Sequence, residues 1–376
     1  MATSGKRRKT KKAARAKTRI KQPRKTYRKK TAADAGPVSL AEATALAHAK
    51  RPKLAARAAR ESAVPPASPA PLGAQRQRLE QERREEFAHR IQEYKATMEI
   101  MKKRGARRPR SKKTEEPKGE APAPEDESFV PLQIFAEGDS WFDYPIPFFG
   151  GGIITRLENR LGVPILNLAK AGDEVRYMLG VEERIILTEH LTEGCPAGGP
   201  WDALLFSGGG NDIVGNPMAL WVKDWDQALP PIDLIQKPHF QAALGLVRAG
   251  YEDLIDLRNT LSPNTHLIFH DYDFAIPDGR GVCGFGPWLK PTFDLRKFPL
   301  GVARREVVKA MLLEFAAMLT SLLGTASKVT LIKSQGTLTP QTSSWDNELH
   351  PSKAGFEKFA DIFRDQLKVL FPDRVV

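Results

Sequence analysis

The sequence predicts an α/β fold, a parallel sheet of five strands covered on both faces by helices. Three observations carry this prediction. From Phe129 onward, five short apolar runs alternate with helix-period segments. The runs are apolar throughout, not alternating, as strands buried on both faces are. Polar residues capable of chemistry cluster just after the runs, where open parallel sheets bind ligands.

In chain order, the N-terminal third comes first. The formal net charge of +13 over 376 residues is unevenly divided. Residues 1–128 hold 35 basic and 15 acidic side chains, whereas residues 129–376 hold 23 and 30. Residues 1–33 contain no acidic residue. Such a segment repels itself and buries no core, so disorder is expected. One reading of residues 1–60 is an arm that binds nucleic acid or another polyanion by releasing counterions. The other is a solubilising or targeting tail. Residues 62–74, SAVPPASPAPLGA, form a Pro/Ala linker.

Residues 75–104 predict one amphipathic helix, with Phe87, Ile91, Tyr94, Met98 and Met101 on one seam. That seam suits docking on the main domain or on a partner, and a free surface helix fits equally. Residues 107–128 return to linker composition. The chain therefore divides into a basic, mostly disordered region over 1–128 with a helix at 75–104, and a folded domain over 129–376.

The five runs are LQIFAEG (132–138), PILNLA (164–169), DALLFSG (202–208), HLIFHDY (266–272) and VTLIKS (329–334). Helical periods cover about 152–161, 174–191, 239–261, 302–324 and 352–371. Two long segments, about 214–238 and 273–300, have lid-like composition, and loops of this length are usually functional or disordered.

Several classes are excluded. Two cysteines, Cys195 and Cys283, cannot build a disulfide framework or a cysteine-based zinc cluster. No apolar run of about 18 residues predicts a transmembrane helix. The first 20 residues lack the apolar core of a secretory signal. The expectation is a cytoplasmic protein, with a bacterial cytosol favoured, and no metal or cofactor is required.

The strand ends supply a coherent set of groups. The first run ends in Glu137-Gly138-Asp139-Ser140-Trp141, the second leads to Ala171-Gly172-Asp173, and the third to Gly208-Gly209-Gly210-Asn211-Asp212. After the last come Asp346-Asn347-Glu348-Leu349-His350-Pro351. Ser140 is an exposed hydroxyl after a tight turn, a nucleophile once a base removes its proton. His350 is the candidate base. Backbone N–H groups of Ser140 and Gly172 and the Asn211 amide are candidate donors to an oxyanion, each worth roughly 3–4 kcal/mol in the transition state. The Gly-rich block lacks the Gly-Lys-Ser/Thr of a nucleotide loop. Trp141, Phe142 and Tyr144, with Phe148 and Phe149, suggest an apolar substrate pocket. Asp139 is expected to close the serine turn, and Asp212 to support the loop of Asn211. His190, His239, His266 and His270 read as structural.

In this order and placement, the four blocks resemble the SGNH (GDSL-type) hydrolases over about residues 132–371. The resemblance implies a flavodoxin-like three-layer α/β/α sandwich. It implies hydrolysis of an ester through an acyl-serine intermediate, with Ser140 as nucleophile, His350 as base, and Ser140, Gly172 and Asn211 as the oxyanion hole. The expected substrate is a small-molecule, lipid or carbohydrate ester.

One position departs from the family pattern. Where the family has Asp three residues before the His, this chain has Asn347, with Asp346 one residue earlier. Three readings follow. Asn347 orients the imidazole, Asp346 reaches it, or a backbone carbonyl completes a Ser-His dyad. The spacing favours Asn347. The competing functional reading is a polyanion-binding protein with a catalytically degenerate domain. With His350 as base, activity is expected to fall below about pH 6.5.

Overall fold

The computed structural model describes residues 36–49, 72–107, 109, 128–144, 151–282 and 284–375. The basic arm over 1–33, most of the 62–74 linker, Phe148, Phe149 and Cys283 lie outside these residues.

Five strands form one sheet: β3 (Ile134–Gly138), β4 (Ile165–Asn167), β5 (Ala203–Ser207), β6 (His266–His270) and β7 (Val329–Ile332). The order is β4-β3-β5-β6-β7. All pairings are parallel, with Ile134 opposite both Ile165 and Ala203, Ala203 opposite His266, and Leu267 opposite Val329. This is the doubly wound order of flavodoxin-like sheets, with the direction of winding reversing beside β3. Every residue of β3 and β5 is buried, which is why their runs are apolar without alternation.

Helices cover both faces. On one lie α3 (Ile153–Leu161) and α9 (Lys353–Leu370), packed on each other and joined by ion pairs from Arg156 to Glu357 and from Arg160 to Asp361. Phe359 and Phe363 of α9 pack on Trp141 and Phe142. On the other lie α6 (Lys237–Leu261) and α8 (Val302–Ser321). Tyr251 of α6 meets Phe206 and Phe269 edge-on, and Phe315 of α8 meets Tyr272. The expected helix over 174–191 is two, α4 (Val175–Met178) and α5 (Val181–Glu193). Gly180 is extended between them and a new helix begins there.

The folded body reaches back past residue 129. Helix α1 (Leu40–Ala49) packs on α2 (Leu72–Arg104), which lies along edge strand β4. Phe87, Tyr94, Met98 and Met101 of the expected seam are buried, and Ile91 is half-buried. Arg90 of α2 donates to the carbonyls of Asn167 and Ala169, at 3.1 and 3.0 Å, and so covers the unpaired edge of the sheet. A two-stranded ribbon, β1 (Ala106–Arg107) with β2 (Ser128–Phe129), follows α2. The helix expected over 75–104 lies within α2, whereas α1 was not expected. Helix α2 docks through its buried apolar seam, and Arg90 adds polar partners on the sheet edge that composition alone does not reveal.

The two lid-like segments are ordered against each other. The Trp225 N–H donates to the Arg296 carbonyl, and Arg296 pairs with Asp224. Within them, Trp221 and Phe298 are buried, whereas Phe285 is 71% exposed. The second contains a short helix, α7 (Lys290–Leu295). Among the described residues, no helix is long and apolar enough to cross a membrane.

Candidate active site

Ser140 follows β3 on a turn built around Asp139. The Asp139 carbonyl accepts the N–H groups of Phe142 and Asp143, and its carboxylate accepts the Trp141 N–H at 3.0 Å. The same carboxylate accepts the hydroxyls of Ser207 and Tyr272, at 2.8 and 2.5 Å. Burial pushes its pKa up to about 6, against the pull of these hydrogen bonds. Asp139 thus closes the turn, as its position suggested, and also ties it to β5 and to the segment after β6.

His350 lies just before α9 and is 5% exposed. Its Nε2 is 2.6 Å from the Ser140 Oγ. Its Nδ1 is 2.9 Å from the Asn347 Oδ1. That oxygen also accepts the backbone N–H groups of Leu349 and His350, at 2.9 and 3.1 Å. Two backbone donors identify the atom as the amide oxygen, which only accepts. Nδ1 must therefore carry the proton, and Nε2 is left to accept from the Ser140 hydroxyl.

Asn347 is itself held. Its Nδ2 donates to the Tyr144 hydroxyl at 2.9 Å, and that hydroxyl donates to the Asp346 carboxylate at 2.7 Å. Tyr144 also stacks on the His350 ring at 4.4 Å between centroids. Of the two acidic-block candidates, Asn347 contacts the imidazole directly, and Asp346 connects to it through Tyr144 and Asn347.

Burial lowers the His350 pKa to about 3, because the charged imidazolium is poorly solvated there. A neutral amide at Nδ1 supplies no opposing charge. The expected loss of the base form near pH 6.5 therefore moves to lower pH.

Among the oxyanion candidates, the Ser140 and Gly172 N–H groups have no acceptor among the described residues. Gly172 sits at φ +89°, a conformation that favours glycine. Asn211 donates one amide hydrogen to the Asp173 carbonyl at 2.9 Å, leaving the second. Asp212 accepts the Val175 N–H at 3.0 Å, so it does support the loop of Asn211. Gly209 in the same loop has φ +100°, and a Cβ there would lie 2.6 Å from the Phe315 ring.

Ser140, Asn211 and His350 line one cavity, together with Trp141. Gly172 does not line it, but lines a separate depression with Lys170 and Asp173. Phe142 and Tyr144, expected in the substrate pocket, do not line this cavity. Phe142 is fully buried between the His270 and Phe363 rings, in the core below the site. Tyr144 backs the imidazole. Residues Trp141 and Phe142 are adjacent, and the turn points only one of them at the cavity. His270 is buried and bonded to Ser207 and to the Asp271 carbonyl, a structural position.

Three supporting residues were not foreseen, two arginines of α2 and one glutamate beside His350. Arg83 of α2 pairs with Asp173 at 2.9 Å and with Glu183, so the N-terminal helix holds the loop that carries Gly172 and anchors Asn211. Arg90 similarly pairs with Asp143 of the serine turn at 3.1 Å. The buried Glu348 carboxylate accepts four backbone N–H groups, from Gly279, Trp288, Leu289 and Lys290 at 2.6–2.9 Å. It fastens the 273–300 segment to the block that bears His350. Glu348 stands in the same sequence block as His350, but nothing local marks its four distant donors. Among the described residues, no group of three His, Cys, Asp or Glu side chains is placed to hold a metal ion.

No family model matches the sequence, and no curated protein matches it. Similar solved structures exist. A lipase from a goat rumen metagenome is 16% identical, with 62% of this chain and 96% of that chain covered at a TM-score of 0.41. An extracellular lipase from Streptomyces rimosus is 14% identical, with coverages of 62% and 99% and a TM-score of 0.39. A Clostridium thermocellum family 3 carbohydrate esterase is 16% identical, with coverages of 64% and 98% and a TM-score of 0.37. At such identities and scores, function is read from the geometry of the site.

Proposed function

We propose that this chain is a serine esterase of the SGNH type, acting through an acyl-serine intermediate. The observation that carries the reading is the chain of contacts from the Ser140 Oγ to the His350 Nε2, 2.6 Å, and from Nδ1 to the Asn347 Oδ1, 2.9 Å. A nucleophile, a base and an orienting group stand in hydrogen-bond reach, in the one tautomer that works.

As the Ser140 Oγ attacks the ester carbonyl carbon, its proton passes to the His350 Nε2. The carbonyl π bond opens and its oxygen becomes an oxyanion. The Ser140 and Gly172 N–H groups and the free amide hydrogen of Asn211 are its donors. Collapse breaks the bond to the leaving oxygen, which takes the proton from His350 and departs as the alcohol. Water then attacks the acyl-serine with His350 again as base, and releases the acid and free Ser140. Asn347 holds the ring and accepts from Nδ1 while the ring is charged. The Asp346 carboxylate acts at a distance, polarising Tyr144 and through it Asn347.

Hydrolysis of p-nitrophenyl acetate tests the reading. Ser140→Ala and His350→Ala should each abolish it, and the double variant should be no slower than either, because the pair acts as a unit. Unchanged turnover in Ser140→Ala would overturn it.

A further inference from the structure

The cavity beside Ser140 is small and apolar. Its interior space is about 40 Å³. Pockets that take drug-sized ligands run to roughly 300–1,000 Å³, so this one suits a small group. Ile213, Val214, Leu289, Met311, Leu312 and Leu349 wall it.

Its polar borders are already engaged. Asp139 accepts from Trp141, Ser207 and Tyr272. Asp273 accepts the N–H groups of Phe274, Gly336 and Leu338, at 2.7–2.8 Å. Neither carboxylate is left to receive the hydroxyl of a substituted chain. No Lys or Arg lines the cavity, so an acyl group bearing its own carboxylate finds no counter-ion. The walls are also fixed. Met311 and Leu312 lie on the buried face of α8, and the Leu289 N–H is bound by Glu348 at 2.7 Å. A longer chain would have to displace packed side chains, which a close-packed interior resists.

On the reading of Ser140 as the nucleophile, we propose that this cavity takes the acyl group, and that the substrates are esters of short, unsubstituted acids of about two to four carbons. Met311 and Leu312 set the limit on length.

The test is the kcat/KM of the full chain on p-nitrophenyl acetate, butyrate, octanoate and laurate. Acetate and butyrate should lead, and octanoate should fall at least tenfold below butyrate, as a filled hydrophobic pocket discriminates. Met311→Ala should raise the octanoate-to-acetate ratio about tenfold. Val308 also lines the cavity, so should that variant fail to fold, Val308→Phe provides the opposite change and should lower the butyrate-to-acetate ratio. A flat or rising profile to laurate in a protein that hydrolyses acetate through Ser140 overturns this inference and leaves the esterase reading intact. No turnover of any ester overturns both.

Discussion

The His350 Nδ1 lies 2.9 Å from the side-chain oxygen of Asn347, a neutral amide where a carboxylate would be charged. Orientation and tautomer are fixed without a negative charge beside the ring. The consequence is electrostatic. Burial disfavours the imidazolium, nothing adjacent repays that cost, and the pKa falls to about 3. A base with a lowered pKa stays unprotonated as the pH falls. The acid limb of kcat/KM should therefore lie well below the 6.5 of an unperturbed histidine, with activity level between about pH 8 and pH 5. Asn347→Asp would place a carboxylate at Nδ1, favour the imidazolium, and move the limb upward. A wild-type limb near 6.5 that Asn347→Asp leaves in place would contradict this.

Tyr144 links Asn347 to Asp346. Removing its hydroxyl in Tyr144→Phe leaves the buried Asn347 amide without that acceptor, at about 1–3 kcal/mol of stability. It also loosens the group that aims the imidazole, so kcat should fall with KM little changed. Asp346→Asn should be milder, because Asp346 is exposed to solvent. Urea melts and initial rates of both variants measure the difference. Equal effects on both would argue against the chain of contacts.

The N-terminal helix bears on the site through Arg83. Arg83→Ala leaves the buried Asp173 and Glu183 carboxylates without their guanidinium, which should destabilise the protein by about 3 kcal/mol. Because Asp173 anchors Asn211 through its carbonyl, kcat should drop tenfold or more, and added guanidinium at low millimolar concentration should restore part of it. A stable variant with full kcat would show that the helix only covers the sheet edge.

Glu348 is a carboxylate in a nest of four N–H groups. Glu348→Gln turns one oxygen into an amide that faces two of those donors, at a cost of roughly 2–4 kcal/mol. Hydrogen exchange should show faster opening over residues 279–290, with the sheet strands still protected. Unchanged exchange there would mean that other contacts hold the segment.

Much of this was legible in the sequence because buried parallel strands leave a strong signature. All five runs became strands of one sheet, and Ser140 and His350 meet because each follows a strand of that sheet. The choice of Asn347 followed from its spacing to His350. Other features depended on contacts far apart in the chain. Arg83 meets Asp173 ninety positions away, and the charge of α2 resembled that of a solvated helix until the partners were in place. Trp141 and Phe142 are both aromatic and adjacent, and only the turn geometry separates a cavity wall from a core residue. Tyr144, expected in the pocket, instead joins Asn347 to Asp346, two hundred residues along the chain.

The most direct test of the central claim is covalent. A fluorophosphonate probe, followed by proteolysis and mass spectrometry, reads out which hydroxyl is activated. The account predicts stoichiometric labelling on Ser140, lost in His350→Ala and retained, at a slower rate, in Asn347→Ala. Folded protein that remains unlabelled, or is labelled at another residue, would contradict it.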